Sequence, residues 1–106
     1  MPASAQGVTP QIIDLGMGLG IREVHDLRER LLAAIEAGPV VLDASAVERA
    51  DSAGVQLLIS LGRSLALRGE ALAYHGVSKT LAEVARTLGL EAACRLPGAA
   101  GVDDGP

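Results

Sequence analysis

One stretch of the chain carries its hydrophobic residues at clear helical spacing. Over Arg22–Ala37 the apolar side chains fall on one face and the charged side chains on the other, which predicts an amphipathic helix. Gly38 and Pro39 follow, and both residues are typical of helix C-termini. The face expected to be buried consists of Val24, Leu27, Leu31, Ala34 and Ile35.

Two more helices are predicted further along the chain. The segment Ala53–Arg68 is apolar almost all round and is followed by a glycine. A third helix is predicted to begin at Ser78 or Thr80 and to end at Gly89, and Thr80 with Glu83 matches a capping box. Its expected buried face consists of Leu81, Val84, Ala85 and Leu88.

Short apolar runs between the helices predict strands. Val40–Leu42 is a continuous β-branched and aliphatic run, which is typical of a buried central strand. Ala71–Tyr74 predicts another strand, and Ala92–Leu96 a last short strand or an extended segment. The region before the first helix alternates apolar residues with glycine and predicts one hairpin or two short strands: Ile12, Ile13, Leu15, Met17, Leu19 and Ile21. Strands that alternate with helices indicate an α/β fold.

The length of 106 residues fits one domain. We expect this domain to cover residues 8–96. Residues 1–7 are small and polar, and residues 97–106 are rich in Gly, Ala and Pro without periodicity, so both ends are expected to be disordered or flexible.

Composition and charge exclude several function classes. The net charge is -4 and Tyr74 is the only aromatic residue, so the chain lacks the basic surface and the stacking platforms that bind nucleic acids. One cysteine, Cys94, excludes an internal disulfide framework. There is no recognisable signal peptide and no apolar stretch of the ~20 residues needed to span a bilayer. We therefore expect a cytoplasmic protein without direct membrane insertion.

A nucleotide-binding domain or an enzyme is the alternative of a different class. Gly16, Gly18 and Gly20 precede a predicted helix, but Ile21 stands where the dinucleotide fingerprint requires its third glycine. Asp43 ends a strand and invites comparison with a phosphorylated aspartate. That chemistry needs an acidic pair and a suitably placed lysine, and the chain offers only Asp14 and Lys79. A turn-capping Asp43 explains the residue more simply.

The remaining reactive residue types predict no catalytic or metal site. His25 and His75 lack a metal-ligand spacing and are expected at the surface. Cys94 is expected to be a small, partly buried hydrophobic residue. No cofactor, metal or catalytic residue is predicted.

The most informative segment runs from Val40 to Leu58. Its aspartate and serine, Asp51 and Ser52, stand at the start of the apolar helix, so either one is a candidate N-cap. Gly54 would allow this helix to pack closely against the sheet. A hydroxyl at a helix N-terminus is also a candidate phosphorylation site, because free amides and the helix dipole stabilise an added phosphate.

These residues resemble the STAS domain, the fold of anti-sigma factor antagonists and of sulfate transporter tails. The matching pattern is a strand ending L-D-x-S, an inward aliphatic residue and then D-[ST]-x-G. Here it consists of Leu42, Asp43, Ser45, Val47, Asp51, Ser52 and Gly54. The resemblance implies a central mixed β-sheet of four to five strands packed with three or more α-helices.

The resemblance also implies a non-catalytic role in binding a protein partner. In anti-sigma antagonists the phosphorylated serine directly precedes the glycine, where this chain has Ala53. A hydroxyl at Ser52 instead resembles two other branches. One accompanies chemotaxis-type signalling systems. The other is the STAS subunit of a lipid-asymmetry ABC transporter, which binds the transporter ATPase. Implied partners are thus an anti-sigma-type serine kinase, a chemotaxis-type signalling protein or that ATPase.

The second helix is the expected docking element. Leu57 and Leu61 flank its narrow polar stripe, and they are either partly exposed to a partner or covered by the neighbouring helices. Ser52 is the candidate phosphoacceptor. The candidate partner-binding residues are Asp43, Ser45, Asp51, Ser52, Ala53, Gly54, Gln56, Leu57 and Leu61.

Overall fold

A computed structural model describes residues 9–97 of the chain. The expected disordered N-terminus and all of the expected tail except Pro97 lie outside these residues. In chain order the elements are β1 (Gln11–Asp14), β2 (Gly18–Leu19), α1 (Val24–Ala37), β3 (Val40–Ala44), β4 (Arg49–Ala50), α2 (Ser52–Leu67), β5 (Tyr74–Val77) and α3 (Lys79–Thr87).

The strands form two small parallel sheets. The larger has the order β1-β3-β5, so that β3 is central, and the smaller joins β2 to β4. The predicted central position of β3 is confirmed. Its burial alternates, however: Val40, Leu42 and Ala44 are in the core, whereas Val41 is only half-buried and not fully buried as its continuous apolar run predicted. The α/β fold class is confirmed. The described strand pairs are all parallel, whereas a mixed sheet was expected.

The helices bury most of the faces that their periodicity predicts. The exception is Leu88 after α3, which was expected to be buried and is exposed. In α1 the buried residues are Leu27, Leu31 and Ile35, while Val24 and Ala34 pack against the edge of the core. Helix α2 buries seven residues, and its apolar surroundings explain why its sequence is hydrophobic almost all round. Val47, between β3 and β4, also points inward.

The predicted strand Ala71–Tyr74 is placed three residues too early, because β5 begins at Tyr74. Leu72 is buried in the core, and the carbonyl of Ala73 accepts a hydrogen bond from the Leu42 amide, so the chain joins β3 only there. Strand propensity alone does not fix this register.

The predicted strand over Ala92–Leu96 is wrong, since this segment forms turns. Its amides bond locally, with the Cys94 amide donating to the Leu90 carbonyl at 3.0 Å. The phenol of Tyr74 donates to the carbonyl of Cys94 at 2.8 Å and ties this turn to β5.

Ser78, one of the two expected starting residues, is the N-cap of α3. Its backbone is extended, and its hydroxyl accepts a hydrogen bond from the Leu81 amide at 3.0 Å. The capping box of Thr80 with Glu83 is wrong, because Thr80 already lies inside the first helical turn.

The first turn of α2 packs directly against β2. Gly54 is buried, and a Cβ atom at this position would overlap the carbonyl oxygen of Leu19 and lie 2.7 Å from Leu19 Cγ. The glycine predicted to allow close packing therefore does so. Gly62, two turns later in the same helix, differs: a Cβ there would meet Leu72 Cδ2 at an ordinary 3.8 Å.

We predict that Gly54→Ala lowers the free energy of unfolding by about 2 kcal/mol or more, because the added methyl group overpacks this contact. The matched substitution Gly62→Ala should be neutral or stabilising by up to about 1 kcal/mol, since alanine favours helix over glycine. Urea unfolding of both variants measures the difference. Equal stabilities of the two variants would contradict the close contact at Gly54.

Candidate functional site

Asp51 is the N-cap of α2. Its backbone is extended, with φ −139° and ψ −176°, and its Oδ1 accepts hydrogen bonds from the amides of Ala53 at 2.9 Å and Gly54 at 3.3 Å. These are two of the amides that a helix leaves without an internal partner. The structure thus selects Asp51 over Ser52 as the cap.

The second oxygen of the same carboxylate reaches another part of the chain. Asp51 Oδ2 accepts a hydrogen bond from the Ile21 amide at 3.1 Å, and the Asp51 amide donates to the Leu19 carbonyl at 3.2 Å. A Cβ on Gly20 would lie 2.8 Å from Oδ2, so a glycine permits this approach. Asp51 therefore joins the turn before α1 to the start of α2.

These hydrogen bonds keep the Asp51 side chain ionised. The Ile21 amide contributes most to lowering the pKa of the carboxyl group below its ordinary 3.8. Desolvation opposes it as the second-largest effect, and the Gly54 and Ala53 amides lower the pKa further. At neutral pH the start of α2 carries a fixed negative charge.

Ser52 is the first residue of α2, and it is exposed. Its hydroxyl stands at the corner that the Asp51 hydrogen bonds hold in place. Free amides were expected to stabilise a phosphate on Ser52. The Asp51 carboxylate would compete with that phosphate, because it already accepts hydrogen bonds from two of these amides.

A groove of about 520 Å³ opens beside Ser52, between the start of α2 and one face of α3. We call it the Ser52 groove; its lining residues are Asp51, Ser52, Thr80, Glu83, Val84, Thr87 and Leu88. The α3 residues recur every three or four positions and so share one helix face. Leu88 is 42% exposed, and Val84 is half-buried.

Leu57 and Leu61 do not contribute to this surface. They are 7% and 3% exposed, so the alternative in which neighbouring elements cover them is correct. The prediction that they are docking side chains is wrong. Gly54 is likewise buried and Ala53 is half-buried. Gln56 is exposed one turn beyond Ser52.

Asp43 and Ser45 form a separate turn at the end of β3. Asp43 Oδ1 accepts hydrogen bonds from the Ser45 hydroxyl at 2.6 Å and from the Ser45 amide at 3.0 Å, and these bonds lower the pKa of Asp43. A Cβ on Gly76 would lie 3.2 Å from Ser45 Cβ, which places the turn against β5. Neither Asp43 nor Ser45 lines the Ser52 groove. Their hydrogen bonds hold the turn that follows β3.

The glycine run does not build a nucleotide site of the expected form. Gly18 and Leu19 form β2 and pair with β4, and the Asp14 carboxylate accepts a hydrogen bond from the Gly16 amide at 2.8 Å. The strand-to-helix turn that cradles a pyrophosphate is replaced by this pairing.

The histidines and the cysteine have ordinary surroundings. His25 Nε2 lies 3.5 Å from Glu29 Oε2 on the exposed face of α1, and His75 is exposed in β5. Cys94 is buried, and burial raises the pKa of its thiol to about 11, so it is not an activated nucleophile. Over residues 9–97 no three or more His, Cys, Asp or Glu side chains are grouped to hold a metal ion.

Periodicity alone did not identify the exposed apolar residues near Asp51 and Ser52. Leu88 and Val84 share a helical stripe with the buried Leu81 and Ala85, so periodicity assigned them all to the core. Ile21, whose amide bonds to Asp51, is 69% exposed. The available signal was the width of the apolar stripe on α3, which is greater than one packed neighbouring helix can cover.

We predict that Asp51→Ala lowers the midpoint of urea unfolding at pH 7, because it removes hydrogen bonds to three amides. Ser52→Ala should leave the midpoint unchanged, since Ser52 is not the cap. The lowered pKa means that the carboxylate stabilises the fold above pH 3.8 and loses this effect as the pH falls through its folded-state value.

The gap between the wild-type and Asp51→Ala midpoints should therefore shrink on acidification below pH 3.8. If Ser52→Ala were less stable than Asp51→Ala, the assignment of Asp51 as the helix cap would be contradicted.

Comparison with known protein families identifies a matching family model. Residues 4–97 match the family model described as "Mlab, STAS domain". Neither a curated protein nor a solved structure gives a significant match. STAS domains are generally non-catalytic regulatory domains that interact with proteins. Within residues 9–97, the helices are too short or too polar to cross a membrane. The match extends over most of the chain, which therefore belongs to the STAS domain family.

Proposed function

We propose that this STAS domain is a non-catalytic regulator that binds a protein partner at the corner formed by Asp51, Ser52 and the Ser52 groove. The observation that carries this proposal is the exposed Ser52 hydroxyl beside an open groove with exposed apolar side chains.

The rigidity of the corner supports a binding role. The Asp51 carboxylate bonds to amides on both sides of the site, and Gly54 packs against Leu19 beneath it. A surface that is already ordered loses little conformational entropy when a partner docks. The arrangement therefore favours binding without rearrangement.

Exposed apolar residues flank the corner on two sides. Ile21 is 69% exposed next to Asp51, and Leu88 is 42% exposed across the groove. Buried apolar anchors supply most of the affinity at protein interfaces, with polar groups around them. Ser52, Gln56 and Glu83 are exposed polar residues able to take that place.

The first candidate partner is an anti-sigma-type serine kinase or a chemotaxis-type signalling protein. In that case phosphorylation of Ser52 would regulate docking. The phosphate would add about −1.5 to −2 charges beside Asp51 and so change which partner side chains are accepted.

The second candidate partner is the ATPase subunit of a lipid-asymmetry ABC transporter, bound constitutively. Asp51 favours it, because its carboxylate already occupies the amides of Ala53 and Gly54 that would stabilise a phosphate on Ser52. In this case Ser52 contributes only contact, and the surface needs no switch.

We predict that Ser52→Trp weakens binding of the protein partner about tenfold or more, equivalent to about 1.4 kcal/mol, because the indole fills the docking corner. Ser60→Trp is the matched control: Ser60 is exposed on the same helix, outside the groove. The immobilised domain and both variants are compared for capture of the partner from the source lysate.

Circular dichroism of both variants verifies that they are folded. Equal capture by Ser52→Trp and the wild type would refute the proposed surface. Mass spectrometry of the captured protein and of Ser52 separates the two candidates. A kinase-like partner with phosphate on Ser52 indicates the switch, and a transporter ATPase with unmodified Ser52 indicates the constitutive contact.

A further inference from the structure

The charged residues that line the Ser52 groove are acidic. Asp51 and Glu83 stand on its rim, and none of its lining residues in the described part of the chain is basic. Helix α3 does carry basic residues, Lys79 and Arg86, but they do not line the groove. Arg86 Nε instead lies 3.8 Å from Glu91 Oε2. The groove therefore presents negative charge to an incoming partner.

The same groove also has apolar lining residues. Val84 and Leu88 line it, together with the methyl-bearing Thr80 and Thr87. The two apolar residues lie four positions apart, which corresponds to about one helical turn. This spacing suits aliphatic side chains at i and i+4 on a docking helix.

We propose that the Ser52 groove binds an amphipathic helix of the partner protein, with aliphatic residues inserted over Val84 and Leu88 and Lys or Arg beside Asp51 and Glu83. This inference rests on the proposed function, because it takes the same corner as the docking surface. It adds the chemistry of the partner, which must be basic at the rim.

A second copy of this chain does not suit the groove. A symmetric dimer through this face would bring the two acidic rims together, and like charges across an interface oppose association. The chain as a whole carries a net charge of -4, which adds to the repulsion. Charge complementarity thus selects a basic partner helix.

The test uses two synthetic helical peptides with the same leucine pattern, one with lysine and one with glutamate at the polar positions. Each is titrated into the ¹⁵N-labelled protein and followed by NMR. The lysine peptide should shift the amides of Ser52 and Thr80–Leu88, with about tenfold or higher affinity than the glutamate peptide. Equal affinities, or shifts centred elsewhere, would overturn the proposal.

A charge-reversal pair separates groove binding from general attraction to an acidic protein. Glu83→Lys should weaken lysine-peptide binding several-fold more than Glu70→Lys, which makes the same charge change at an exposed position outside the groove. Equal weakening by the two variants would show that net charge, not the groove, binds the peptide.

Capture of the natural partner separates this proposal from the proposed function. Loss of the partner with both Ser52→Trp and Glu83→Lys supports both. Loss with Ser52→Trp but full retention with Glu83→Lys leaves the docking surface in place and overturns the basic helix. Retention with both variants overturns the two proposals together.

Discussion

The carboxylate of Asp51 is the interaction on which the arrangement of the site depends. One oxygen caps α2 through Ala53 and Gly54, and the other bonds to the Ile21 amide ahead of α1. Two segments that lie thirty residues apart in sequence are thereby held together by one side chain. Because an aspartate performs the capping, the neighbouring serine is left free to face outward.

Close packing beneath this carboxylate completes the arrangement. The absence of a side chain at Gly54 brings the first turn of α2 onto Leu19, and buried Val55 and Leu58 continue the helix into the core. Most apolar side chains of α2 are therefore buried in the core, and Leu57 is not accessible to a partner. Exposed apolar surface near this corner comes instead from Leu88, which lines the Ser52 groove, and from Ile21, whose amide bonds to Asp51.

Local chemistry made part of this predictable from the sequence. The segment Asp51–Gly54 specifies a capped helix start with close packing, and both features follow from short-range hydrogen bonding and sterics. Periodicity located α1 and α2 to within one or two residues. It could not place β5, because register depends on pairing with β3, and it could not separate Leu88 from Leu81, because exposure at the edge of a stripe depends on which helix lies alongside. The choice between Asp51 and Ser52 as the cap likewise required the structure, in which the Ala53 and Gly54 amides donate to Asp51 Oδ1.

The most direct test of the proposed docking surface is hydrogen–deuterium exchange of the full chain, free and in complex with its captured partner. Backbone amides exchange more slowly where a bound partner excludes water or suppresses local opening. The account predicts that the added protection is concentrated at the start of α2 and along α3. Protection confined to β1 and α1, with exchange in α2 and α3 unchanged, would contradict it.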